Sequence, residues 1–248
     1  MKTVLHVTGL VKSFGDFTAV NDISFTVTSG EALAIIGPNG AGKSTLFDLL
    51  TGRKTPDRGE VMLFDEPIGH LPPWNRVKRG LGRSFQVSSI FPTFSALENI
   101  QLGLMLASGN SWSPFKRATT VLNHEAEALL EMVGLSSKKK VLASNLSHGD
   151  QRNLELAVAL STRPKLLLLD EPTAGMGREE SSECLAMIRK IADRENLTIV
   201  FVEHDMNVVF AFATRVMVLV AGKLLVDAAP DIVRKDARVK EAYFGEDI

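Results

Sequence analysis

Nine consecutive residues, Gly37-Pro38-Asn39-Gly40-Ala41-Gly42-Lys43-Ser44-Thr45, carry the loop pattern G-x-x-x-x-G-K-[ST] in full. Glycines free the backbone to turn several amide N–H groups inward, and the positive end of the helix that follows adds to the same field, so the loop forms a cradle for a polyphosphate. Lys43 supplies a mobile charge for the outer phosphates, and the Ser44 hydroxyl is placed to reach a Mg²⁺ that bridges them. The complete pattern, together with its flanking elements, sets the loop apart from a glycine-rich turn that merely reverses the chain. A second set of residues follows at the end of the apolar run Lys165-Leu166-Leu167-Leu168-Leu169-Asp170, with Glu171 next in line. A buried strand would deliver Asp170 at its C-terminal end, where ligands of open α/β sheets gather, to hold Mg²⁺ directly or through water. Glu171 points differently and can serve as general base or water-positioner for attack on a γ-phosphate. His204 closes the run from Thr198 to Glu203 and aims an imidazole at the same edge, although a histidine in isolation is more often a packed residue than a catalytic one.

These groups need a scaffold that brings strand ends together. Ala32-Leu33-Ala34-Ile35-Ile36 is a short apolar run ahead of the loop, and Leu46-Phe47-Asp48-Leu49-Leu50 behind it has helical spacing. Thr198-Ile199-Val200-Phe201-Val202 and Val216-Met217-Val218-Leu219-Val220 are near-continuous apolar runs, the pattern of strands covered by helices on both faces. Residues 4–8, 23–28 and 60–64 also read as strands, separated by turn residues such as Ser29-Gly30 and Asp57-Arg58-Gly59. From Ser95 the character changes. Ser95-Ala96-Leu97-Glu98 is a capping box, and Leu122, Ala126, Leu129, Leu130 and Val133 repeat at helical spacing before a stop at Gly134. Residues from about 90 to 162 are therefore expected to be mostly helical. Between them, Ala107 to Pro114 reads as a loop holding Trp112, and Lys138-Lys139-Lys140 reads as a solvated loop.

Composition bounds the possibilities. The chain has 248 residues, enough for a sizeable core, and its alternating patterns indicate one α/β unit with a smaller helical insertion. Lys and Arg number 28 against 29 Asp and Glu, for a net charge of −1, so no broad basic surface points to nucleic acid. One cysteine, Cys184, excludes an intrachain disulfide and a thiolate zinc site, and reads as a small residue on a helix face. No apolar run approaches the ~20 residues of a membrane-spanning helix. The segment Met1 to His6 lacks the apolar core of a signal peptide, so a soluble cytoplasmic chain, held at a membrane only through a partner, is expected.

Over nearly its whole length the chain resembles the ATP-binding subunits of the ABC transporter family. Phe14 in Lys12-Ser13-Phe14-Gly15 matches the A-loop aromatic that stacks on adenine, and Gln86 in Ser84-Phe85-Gln86 matches the Q-loop residue that contacts metal and water and senses the membrane partner. Leu146-Ser147-His148-Gly149-Asp150 matches the signature loop, LSGGQ in most members, and His204 matches the switch histidine on the γ-phosphate. A hydroxyl, a glycine backbone and a helix N-terminus in Ser147, His148 and Gly149 make a second anion-binding device, suited to the γ-phosphate held by another copy's P-loop. The resemblance implies a P-loop NTPase fold of the ABC ATPase type, with a mixed β core, an antiparallel β subdomain and an inserted helical subdomain. In that plan one domain spans 1–248, with a nucleotide-binding core and β subdomain from 1–89 and 163–227, a helical subdomain over 90–162 and a helical tail over 228–248.

Three positions depart from the common pattern. His148 replaces a glycine, tolerable where only its backbone faces phosphate; Asp150 replaces glutamine and adds negative charge near an anion; Gly177 in Ala174-Gly175-Met176-Gly177 replaces the D-loop aspartate and bears on contact across the dimer. The departures, the run Gln151-Arg152-Asn153-Leu154-Glu155, the insertion Ser113-Pro114-Phe115-Lys116-Arg117 and the tail Val239 to Glu246 are similar to the ATPases of branched-chain amino acid importers. Urea and short-amide importers share much of this pattern. The resemblance implies ATP and Mg²⁺ as cofactors, a second ATPase subunit, identical or different, integral membrane permease subunits, an external solute-binding protein acting indirectly, and a place on the inner face of the cell membrane. A soluble ABC-type ATPase scaffold is the rival reading, against which the insertion and tail argue. Nucleic-acid repair and translation ATPases carry paired domains, zinc cysteines or coiled-coil insertions that this chain lacks.

Overall fold

The computed structural model describes residues 2–83, 90–107 and 116–244. Gln86, Trp112, the Ser113-Pro114-Phe115 part of the insertion, and Gly245 and Glu246 of the tail lie outside the described residues.

The apolar runs form a six-stranded sheet. Its order is Lys223–Ala228 (β10), Arg215–Val220 (β9), Ala32–Ile36 (β3), Thr198–Val202 (β8), Leu166–Asp170 (β7) and Leu81–Arg83 (β6), parallel from β9 to β6 with β10 antiparallel at one edge. A second, antiparallel sheet runs Phe17–Thr28 (β2), Thr3–Phe14 (β1), Arg58–Leu63 (β4) and Glu66–Pro67 (β5). Because strand side chains alternate, the six-stranded sheet feeds two cores. Leu33, Ile35, Leu166, Leu168, Val200 and Val202 face the antiparallel sheet and helix α1 (Lys43–Thr51), whereas Ala34, Leu167, Leu169, Ile199 and Phe201 face the helices on the other side. Both faces of the central strands are thus covered, and every residue of β3, β7 and β8 is buried, as uninterrupted apolar composition requires.

The strands of the antiparallel sheet differ from their sequence reading. β1 runs from Thr3 to Phe14, well past the expected 4–8, and β2 starts at Phe17 rather than 23. Register shifts flank Val7 to Leu10, with Gly9 at φ 57°, and Asp22 sits at φ 59°, so alternation is broken where the pattern needed it. Phe64 lies outside β4. With Asp65 it adopts positive φ in a two-residue hairpin turn to β5. The sequence does not announce β10, because Lys223 to Ala228 has neither strict alternation nor a long apolar run.

The short helix α2 (Pro73–Lys78) carries Arg76, which is fully buried. Its guanidinium donates to the carbonyls of Leu49 and Leu50 at 2.6 and 2.7 Å, supplying donors to the last turn of α1, where helix carbonyls run short of backbone partners. The helical expectation between 90 and 162 is met by α3 (Ala96–Ala107), α4 (Lys116–Met132) and α5 (His148–Ser161). The capping box forms, with Ser95 donating its N–H and hydroxyl to Glu98 at 2.7 Å each, and Gly134 leaves the helix at φ 74°. Beyond β7 come α6 (Arg178–Glu195) and α7 (Met206–Phe212), then α8 (Pro230–Val233) and α9 (Ala237–Phe244) after β10. Cys184 is buried on α6 among apolar neighbours, and burial pushes its thiol up to about 11.

Candidate nucleotide site

The phosphate loop joins β3 to α1 under tight constraints. A Cβ at Gly42, at φ 96°, would come within 2.1 Å of the Ala19 carbonyl oxygen, and one at Gly37 within 2.2 Å of that of Leu219. No other residue type fits either position. Pro38, Asn39 and Gly40 form the outward turn, Ala41 packs inward, and α1 begins at Lys43 with Ser44 exposed and Thr45 half-buried in its first turn. The Lys43 ammonium curls over the loop to donate to the carbonyls of Gly37 and Pro38 at 2.6 and 3.0 Å. Burial lowers its pKa, and the charge of Glu171 opposes that shift. Tyr243 of α9 reaches the backbone of Gly37, and its burial raises the phenol to about 12. α9 thus reaches the phosphate loop, a contact no local pattern in the sequence announces.

β7 delivers the two acids to different surroundings. Asp170 keeps the parity of Leu166 and Leu168 and so faces α1, where its carboxylate meets the buried guanidinium of Arg83 at 3.2 Å. Arg83 also donates to the Thr51 hydroxyl at 2.9 Å and lies 3.6 Å from the carboxylate of Asp48, joining β6, α1 and β7. Burial raises the pKa of Asp170 and lowers that of Arg83, and their mutual attraction opposes both shifts. No sequence motif marks Arg83. Its only signal is a lone cation at a strand end.

Glu171 has φ 51°, a left-handed backbone that costs a non-glycine residue roughly 1 kcal/mol or more. The turn swings its carboxylate away from Asp170 toward His204, whose Nε2 lies 3.0 Å from Glu171 Oε1. Glu203 ties together the segments that carry the two partners. Buried at the end of β8, it accepts from the Thr173 N–H and hydroxyl at 2.9 and 2.6 Å through one oxygen and from the His204 N–H at 3.1 Å through the other. The loops that carry Glu171 and His204 are therefore stapled together by one carboxylate.

Phe14 ends β1 as a residue 44% exposed, and the ammonium groups of Lys12 and Lys54 lie 5.7 and 5.9 Å from the centre of its ring. Its cross-strand partner Phe17 is a second exposed aromatic, which the sequence reading did not single out.

The signature residues open α5. Ser147 is the N-cap, accepting from the Asp150 N–H at 3.2 Å, and Gln151 braces the turn by donating to the carbonyls of Ala143 and Leu146 at 3.1 and 3.2 Å. The His148 ring lies against Gly175, with Nε2 at 3.2 Å from where a Cβ there would stand. The Glu180 carboxylate lies over Gly149, so a side chain there would have to push that flexible group aside. Lys138 and Lys139, expected in a solvated loop, make ion pairs with Asp150 and Glu127 respectively. Asp150 is therefore not a bare charge.

Phosphate loop, acids and histidine converge at the C-terminal ends of β3, β7 and β8, whereas the signature residues open a separate helix. A profile of the ABC transporter family matches residues 20–174. The high-affinity branched-chain amino acid transport ATP-binding protein LivG of Escherichia coli K12 is 37% identical over 98% of both chains. The fold superposes on the ADP conformation of MJ1267, an ATP-binding cassette of an ABC transporter, with TM-score 0.88 and 28% identity over 99% of this chain and 100% of that one. It also superposes on a dimeric post-hydrolysis state of the cassette MJ0796 bound to ADP and Pi, with TM-score 0.79 and 25% identity over 91% and 98% of the two chains. Among the described residues no helix is long and apolar enough to cross a membrane. Matched by the profile over most of its length and by a full-length relative throughout, this chain belongs to the ABC transporter family and has the fold of its ATPase cassettes.

Proposed function

We propose that the chain is the ATP-binding and ATP-hydrolysing subunit of an importer for branched-chain amino acids, working on the inner face of the cell membrane beneath permease subunits that an external binding protein loads. The observation that carries the ATPase reading is the contact between His204 and Glu171 at the strand edge beside Lys43. The solute class rests on the resemblance to LivG.

Lys43 and the loop amides of Gly37 to Thr45 bind the phosphates, and Phe14 offers its exposed face to the base. Ser44, Asp170 and Gln86 are the residues that would hold Mg²⁺, an all-oxygen donor set of the kind this hard dication takes. Mg²⁺ would offset the charge on the outer phosphates. Glu171 takes the proton of the attacking water or orients it, and His204 holds the Glu171 carboxylate in place. Ser147, His148 and Gly149 of a second ATPase subunit complete the site on the γ-phosphate, so ATP favours the closed dimer and hydrolysis releases it.

Glu171→Gln tests this reading. ATP binding is expected to stay near wild type while turnover falls by on the order of a hundredfold or more, the loss that follows removal of a general base. Titration with a fluorescent ATP analogue and a phosphate-release assay measure the two. Near-normal turnover would remove Glu171 from its role.

A further inference from the structure

A cluster beneath the signature loop remains outside this scheme. Lys138 ends the short 3₁₀ turn Ser136–Lys138 after α4 and forms an ion pair with Asp150. The carboxylate oxygen that takes the ammonium, Oδ2, also accepts the Ser147 hydroxyl at 2.8 Å, and the Asp150 N–H donates back to Ser147 Oγ. Asp150 is largely buried, its side chain 16% exposed, while the Lys138 stem rests at the surface. We propose that Lys138 is a positioning residue of the composite nucleotide site, cancelling the charge that Asp150 brings to the signature loop and holding its carboxylate one hydrogen bond from Ser147. The inference rests on the reading that Ser147 takes the γ-phosphate of the facing subunit.

The physical case is one of competing acceptors. Without Lys138, a bare carboxylate would be the strongest acceptor within reach of the Ser147 hydroxyl and would keep its proton turned inward. It would also repel the approaching phosphate from within the same loop. The ammonium meets the demand of the carboxylate with its own donors, so the hydroxyl can turn to phosphate at small cost. Lys138 acts through Asp150 and touches no nucleotide. A glutamine in place of Asp150 would need no such partner, which makes the lysine the counterpart of this departure from the common signature.

The test is ATP-driven dimer formation by the full chain carrying Glu171→Gln, followed by light scattering. Adding Lys138→Met, which keeps the apolar stem, is expected to raise the ATP needed for half-dimerisation by on the order of tenfold, within the range that coupled neighbours show. In a chain that also carries Asp150→Asn, the same change is expected to cost less than about twofold, and Lys138→Arg is expected to behave like the parent. Dimerisation of the Lys138→Met chain at the parent's ATP concentration overturns the proposal alone. So does a loss that Asp150→Asn fails to relieve, which would mark Lys138 as packing only. A parent that stays monomeric at saturating ATP overturns a composite site between two copies of this chain, and the proposal with it. Should Lys138→Met fail to fold by circular dichroism, Lys138→Gln takes its place under the same criteria.

Discussion

Arg83 is the residue on which the acid side of the site turns. Its guanidinium is nearly closed off from solvent beside an equally buried Asp170, with Thr51 and Asp48 completing the cluster. Removing one partner of such a pair leaves an unpaired charge where water cannot reach it. Arg83→Met is therefore expected to lower folding stability by about 3 kcal/mol, measured by urea denaturation without nucleotide. Asp170→Asn in the same chain should recover part of that loss, since no bare carboxylate is then buried. A loss below about 1 kcal/mol for Arg83→Met would mean that the pair is not a structural tie. The meeting of Gly37 to Thr45, Asp170, Glu171 and His204 at one sheet edge was legible because each belongs to a local pattern, a glycine spacing or the end of an apolar run. Arg83, Glu203 and Tyr243 were not, because each acts on partners distant in the chain, as in the bond of Glu203 to Thr173.

At the level of elements, helix starts decide how the site is presented. α6 is preceded by Gly177 at φ −69° and ψ 167°, ordinary N-cap geometry that lacks a capping side chain, and a Cβ there would meet nothing within 4 Å. The departure from the family's aspartate thus reflects no steric need in the isolated subunit. Gly177→Asp should supply the missing acceptor and raise stability by a few tenths of a kcal/mol, read as an increased denaturation midpoint. A decrease would show that the loop before α6 cannot accept a capped geometry. The capping box at Ser95 was legible for the complementary reason, since both its residues are local. The hairpin from β9 to β10 was not, because Ala221 and Gly222 make its two-residue turn at φ 46° and 77° without the usual Asn or Asp.

At the scale of the whole molecule, two cores on opposite faces of one sheet keep the strand ends in register, so the phosphate loop, Asp170, Glu171 and His204 share a single edge. The signature residues sit on a separate helix among α3, α4 and α5, the arrangement expected if their phosphate belongs to a mate. This division was legible in outline from the switch between strand and helix periodicity, whereas the irregular register of β1 and β2 hid half of the antiparallel sheet. The direct measurement is ATP turnover of two inactive variants mixed in equal amounts. Lys43→Ala disables the phosphate loop, and Ser147→Asp keeps a good helix cap for α5 while setting a carboxylate against the γ-phosphate. With a composite site, each mixed dimer has one intact pairing of loop and signature, so random mixing should restore roughly a quarter of wild-type turnover. Turnover of the mixture no higher than that of either variant alone would contradict a site shared between two copies of this chain.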